Sequence, residues 1–133
     1  MPPAGHRASG AFEVKLAPQP TEAAPVSRLS IDKEFKGELA GTSRGEMLAF
    51  QSATDGSAGY VAMEQVTGTL NGRSGTFVLQ HSGTMNRGTQ HLDLTVVPDS
   101  ATGELEGLSG SMRIIIEGKA HSYEFDYTLP PSP

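Results

Sequence analysis

The sequence contains no cysteine and no tryptophan, and aromatic residues make up only 6% of its 133 positions. Without cysteine there is neither a disulfide scaffold nor a thiolate metal site, and a reducing cytoplasm suits such a chain. Long apolar runs are missing as well. Met1 to Gly10 includes Pro2 and Pro3 and no sustained apolar stretch, so it reads as neither a signal peptide nor a membrane span. Basic residues are scarce: ten Lys and Arg stand against fifteen Asp and Glu, for a net charge of −5, with no basic cluster anywhere. Nucleic acid is therefore not an expected partner, because phosphate contacts would work against the overall field. Sustained helical periodicity is absent too, since no long window keeps apolar residues at i, i+3 and i+4 without Gly or Pro intervening.

What the sequence has is glycine, sixteen in all, and period-2 alternation. The alternation predicts strands over 8–16, 28–37, 43–54, 59–70, 73–86, 89–98, 106–117 and 119–129. Pro18, Pro20 and Pro25 mark Ala17 to Ser27 as an irregular connection, because proline cannot donate to a ladder. The other joints are tight. Asp55-Gly56, Asn71-Gly72 and Glu117-Gly118-Lys119 are hairpin turn sequences, with Asn86-Arg87-Gly88 and Asp99 to Gly103 as longer versions. Consecutive hairpins predict an up-and-down meander, and a long twisted meander hides its edges by closing. The expected fold is all-β, a single closed antiparallel barrel of about eight strands, with a sandwich as the alternative closure. It occupies 1–133 as one domain, with short irregular ends at 1–7 and 130–133.

Ser-Gly, one residue, then a large apolar residue recurs at Ser9-Gly10-Ala11-Phe12, Ser74-Gly75-Thr76-Phe77, Ser82-Gly83-Thr84-Met85 and Ser109-Gly110-Ser111-Met112. The spacing is too irregular for a tandem repeat. Glycines inside strands let a small sheet bend sharply enough to close.

The Asn71-Gly72 turn permits a register prediction, since a two-residue loop pairs Leu70 with Arg73 and fixes every later pair. Val66 then opposes Phe77, Glu64 opposes Leu79 and Ala62 opposes His81 on one face, with Thr67, Thr69, Ser74 and Thr76 on the other. Pairing Met85 with Gln90 adds Leu92, Leu94 and Val96 to the apolar face. A second wall follows from the last hairpin: Ile116 opposes His121, Ile114 opposes Tyr123 and Met112 opposes Phe125, with Tyr127 beyond. The face of strand 43–54 stays open between Met47, Ala49 and Gln51 inward and Glu46, Leu48 and Phe50 inward.

Glu64 and His81 are thus diagonal neighbours in an apolar row, roughly 7–8 Å apart at Cα. A buried carboxylate costs several kcal/mol unless it is paired, and otherwise its pKa rises. Two readings follow. Glu64 is either a structural carboxylate satisfied by Arg73, Arg113, a tyrosine or His81, or a functional one, a general base or a ligand-orienting acceptor whose raised pKa suits proton abstraction beside a carbonyl. His81 is either a satisfied lumen histidine or the other half of an acid–base pair. Tyr60, Phe77, Leu79, Leu94, Ile114, Tyr123 and Phe125 are the candidate ligand-binding residues, the two tyrosines as hydroxyl donors. No metal site is expected: no HxH or HExxH spacing occurs, and the predicted ladder puts His91 on the face opposite His81. Gly68 to Gly75 lies within a hairpin and lacks the strand-to-helix context of a phosphate cradle, and no Gly-x-Ser-x-Gly elbow is present. Nothing calls for a cofactor.

The stretch from Ala58 to Asn86, with Gly59-Tyr60-Val61-Ala62, Gly68 to Gly75 and Phe77 to Met85, resembles an uncharacterised bacterial domain family grouped with the allene oxide cyclase-like barrels. Leu29 to Lys33, Gly45-Glu46-Met47, Val96 to Ser100 and Gly107 to Gly110 look like that family's other hallmarks. The resemblance covers nearly the whole chain. It implies an eight-stranded barrel with a central cavity, among whose distant relatives are cyclases that hold a reactive, mostly apolar molecule in the lumen. No catalytic motif of those enzymes aligns here.

The expected role is therefore a lumen for a small, largely apolar molecule, with isomerase or cyclase activity as the catalytic version. The alternatives are a carrier or sensor using the same cavity and a structural, homo-oligomer-forming module with a packed lumen.

Overall fold

The computed structural model describes residues 5–130. Eight antiparallel strands form a closed barrel in sequence order: β1 (His6–Gln19), β2 (Ser27–Phe35), β3 (Leu39–Gln51), β4 (Ala58–Leu70), β5 (Arg73–Asn86), β6 (Thr89–Val96), β7 (Ser109–Glu117) and β8 (Ala120–Thr128). One 3₁₀ turn, Gly103–Leu105, is the sole helical element among the described residues. None of them forms a helix long and apolar enough to cross a membrane.

β1 closes the barrel by changing partners. His6 to Ala11 pair with β8, whereas Phe12 to Gln19 pair with β2. Beyond Ala11, β1 has no ladder on its β8 side, so Pro18 sits inside the strand without removing a needed donor. The strand consequently runs further than expected at both ends, taking in His6 and Arg7 at its start and Pro18 near its finish. Of the expected irregular ends at 1–7 and 130–133, residues 1–4 and 131–133 lie outside the described residues, and His6 and Arg7 are strand. The predicted strand 106–117 is shorter, because the 3₁₀ turn and the bend after it occupy the chain up to Leu108.

Asn71 and Gly72 take φ of 46° and 87°, and Arg87 and Gly88 take 48° and 92°, the left-handed pairs of two-residue hairpin loops. Each turn sets its hairpin's register. Val66 opposes Phe77, Glu64 opposes Leu79 and Ala62 opposes His81. Met85 opposes Gln90, and Ile116 opposes His121. Strand β3 presents Ser43, Gly45 and Met47 on the face of Glu64 and Ala62, while Glu46 points outward to an ion pair with Arg28.

The two ends of the barrel differ. At one end the β2–β3 and β4–β5 turns and the 97–108 connection cover a packed core of Phe35, Leu39, Val66, Leu70, Phe77, Phe125 and Tyr127. Leu105, fully buried, plugs this end from the 3₁₀ turn. The other end is bounded by the β1–β2, β3–β4, β5–β6 and β7–β8 connections, and it is open. The ladder is thinnest between β6 and β7, where Thr95 opposite Ser111 is the only paired position.

Candidate functional site

The open end holds a cavity of about 720 Å³. Its walls are the inward residues of the upper barrel: Val14 and Leu16 of β1, Leu29 and Ile31 of β2, Met47 of β3, Leu92 of β6, Ile114 and Ile116 of β7. Gln19, Thr21, Gln51, Gln90 and His121 lie among the polar lining residues. Tyr60, Lys33 and His81 add polar groups to the same lining.

Behind them lies Glu64, whose side chain is wholly buried. Its Oε1 accepts from the Lys33 ammonium at 2.9 Å and from Nε2 of His81 at 2.6 Å, and its Oε2 accepts from the Ser43 hydroxyl at 2.6 Å. The diagonal offset between Glu64 and His81 is thus bridged by direct contact. Gly45, opposite Glu64, makes room for this, since a Cβ there would lie 2.1 Å from the Met63 carbonyl oxygen and 2.7 Å from Glu64 Cβ.

Burial pushes the Glu64 carboxyl up, but the His81 hydrogen bond, the Lys33 and His81 charges and the Ser43 hydroxyl outweigh it and bring it down to about 2. The expectation of a general base with raised pKa is therefore corrected. A carboxylate this saturated with donors is too weak a base for that task and instead orients its partners. Because the carboxylate can only accept, Nε2 is the ring nitrogen that holds a proton whenever the His81 ring is neutral, and the lone pair of Nδ1 then faces away from Glu64. The Tyr60 hydroxyl sits 3.4 Å from Nδ1. Burial and then the Glu64 charge raise the Tyr60 pKa, so that hydroxyl keeps its proton and remains a donor.

Lys33 was not anticipated as the main cation. It reaches Glu64 from β2, with Nζ 5.3 Å from the Phe12 ring centroid and 5.8 Å from that of Phe35. One signal was available: Leu29, Ile31, Lys33 and Phe35 alternate, which places the lysine on an apolar face. Arg113, considered as a partner for Glu64, pairs with Glu124 on the outer surface.

The candidate ligand-binding residues divide between the two halves. Tyr60 and Ile114 line the cavity. Phe77, Leu79, Leu94 and Phe125 are buried in the packed core instead, with Phe125 stacked between Phe77 and Tyr127 at 5.9 and 5.3 Å. Tyr123 also belongs to the core: its hydroxyl accepts from the Leu39 amide and faces the Lys36 and Leu39 carbonyls, which ties β8 to the β2–β3 turn. His91 pairs with Asp93 on the surface and His121 packs on Phe12, so neither joins His81.

Residues 8–127 match the family described as protein of unknown function (DUF3224). A crystal structure of a DUF3224 protein of unknown function from Shewanella oneidensis MR-1 is similar to the chain at 48% identity and a TM-score of 0.93, covering 97% of this chain and 100% of that one. No curated protein matches the chain.

Proposed function

The chain belongs to the DUF3224 family, and we propose that it binds a small, largely apolar molecule in the open half of the barrel and can move a proton there through His81. The observation that carries this reading is the pairing of an apolar cavity of 720 Å³ with a buried Lys33–Glu64–His81 network beside it. Eight strands enclose a space that side chains can just fill or that can hold one ligand, and here they fill only half of it. The Glu64–His81–Tyr60 series has the chemistry of a carboxylate-oriented imidazole, in which the anion sets the tautomer and the far nitrogen does the proton transfer. An isomerase or cyclase of the kind suggested by the allene oxide cyclase-like resemblance would use this arrangement without a cofactor.

The second reading is a carrier or sensor that binds in the same place without turnover. It is favoured by the saturation of Glu64, which suits a structural carboxylate. Native mass spectrometry of freshly purified protein tests both, through a retained ligand mass, and counts subunits in the same spectrum. Ala49→Trp, which fills the lining from β3, is expected to abolish retention; retention unaffected by that substitution would place the ligand elsewhere.

A further inference from the structure

Resting on that reading, we propose that the cavity takes an elongated, uncharged carbonyl compound, its oxygen received by Lys33 and the carbon beside its carbonyl presented to Nδ1 of His81. Three observations define the ligand. First, donor and base share one cavity: Lys33 and His81 both line it, and both are held by the same oxygen of Glu64, Lys33 through Nζ at 2.9 Å and His81 through Nε2 at 2.6 Å. Second, Lys33 spends one N–H on Glu64, and its remaining two donors have no hydrogen-bond acceptor among the described residues, although the side chain lines the cavity. A hydrogen-bond donor beside a lone pair is the complement of a carbonyl oxygen next to an acidic C–H. Third, the Lys33 charge is already balanced by Glu64. A ligand carboxylate at Lys33 would add a second anion to a pair that is already balanced, and Arg28, also on the lining, is itself paired with Glu46, whereas a neutral carbonyl adds no charge. Ile31, Met47, Leu16 and Ile116 offer hydrocarbon to the rest of the molecule, on a lining that also carries polar residues such as Gln19, Gln51 and Gln90.

The chemistry balances without a co-reactant. Once the bound ligand displaces the Tyr60 hydroxyl from Nδ1, His81 Nδ1 takes a proton from the carbon beside the carbonyl, the C–H electron pair becomes the C=C of an enolate, and the carbonyl π pair moves to the oxygen held by Lys33. The imidazolium then delivers a proton that has exchanged with solvent to the same carbon, or its proton to the far end of a conjugated system, and the carbonyl re-forms. The first outcome is exchange and the second is isomerisation. Glu64 touches no reacting atom; it is a positioning residue that holds both working groups.

2-Nonanone in D₂O is a suitable probe, with 2-nonanol as the alcohol of equal length. Ligand-observed NMR reads binding, and mass spectrometry of the recovered ketone reads deuterium beside the carbonyl. The protein is expected to speed deuteration by at least about 100-fold over buffer, the lower range for a positioned general base. His81→Asn should return the rate to that of buffer while the ketone still binds, and Lys33→Met should weaken ketone binding and exchange together. If either variant fails to fold by circular dichroism, competitive inhibition of exchange by 2-nonanol in the unaltered protein locates the reaction in the cavity. Ketone that binds without exchange above buffer overturns this inference and leaves the cavity as a binding site. If neither compound binds, the proposed function fails with it.

Discussion

Lys33 and His81, on strands that are not neighbours in the barrel, converge on one oxygen of Glu64. β2 and β5 are separated by β3 and β4, so their side chains meet only because the barrel curves its inner face around Glu64. The contact joins opposite parts of the wall and makes the polar network part of what holds the open half in shape. It also means that removing Glu64 strands a cation.

Glu64→Gln is expected to destabilise the protein by about 3 kcal/mol, because it leaves the buried Lys33 ammonium without its counter-ion. Urea denaturation at neutral pH measures this. A melting temperature equal to or above that of the unaltered protein would show that the network contributes nothing to folding.

The same carboxylate makes stability depend on acid. Its folded pKa of about 2 lies below the ordinary 4.5, so its contribution is complete above the unfolded value and disappears as pH falls through the folded one. Between pH 4.5 and about 2 the protein should lose roughly 3 kcal/mol through this group, since each tenfold difference in proton affinity between the folded and unfolded chain is worth about 1.4 kcal/mol. Denaturation midpoints across that range should fall more steeply for the unaltered chain than for Glu64→Gln.

Gly83 lies opposite Tyr60, and a Cβ there would come 2.5 Å from the Tyr60 ring. Gly83→Ala should therefore push the ring off its seat and away from His81, at about 1–3 kcal/mol. In a Tyr60→Ala background the same change should cost little, and a double-mutant cycle by thermal melts measures the coupling.

Phe125 lies in the packed half, stacked on two rings. Phe125→Ala should cost about 3–5 kcal/mol by creating a void, yet leave ligand retention intact at temperatures where the protein stays folded. Loss of retention in a folded variant would extend the functional cavity into the core.

With one paired position between β6 and β7, the amides of 89–94 and 112–117 that face this seam should exchange far faster than those of β4, which is laddered on both sides. Residue-resolved hydrogen exchange checks this, and uniform protection around the barrel would contradict it.

Hairpin register was legible from the sequence wherever a turn is short and chemically specific. Asn71-Gly72 pins β4 to β5, and period-2 alternation then carries Glu64 and His81 onto one face without further information. The face of β3 was not legible, because Leu48 and Phe50 outward and Met47 inward make both sides half apolar, so burial pattern alone cannot choose. Lys33 was hidden for a related reason: its distance to Glu64 depends on offsets across two intervening ladders and on the curvature of the wall. Sequence determined the strands, the tight turns and the presence of a polar pair in an apolar row, since these are local properties of turn chemistry and pleat. Tertiary structure decided which half of the lumen is filled, because that depends on Leu105 of the 97–108 connection folding beneath the barrel. It also decided the charge state of Glu64, because a buried carboxyl is neutral or ionised according to donors that only closure of the sheet brings to it.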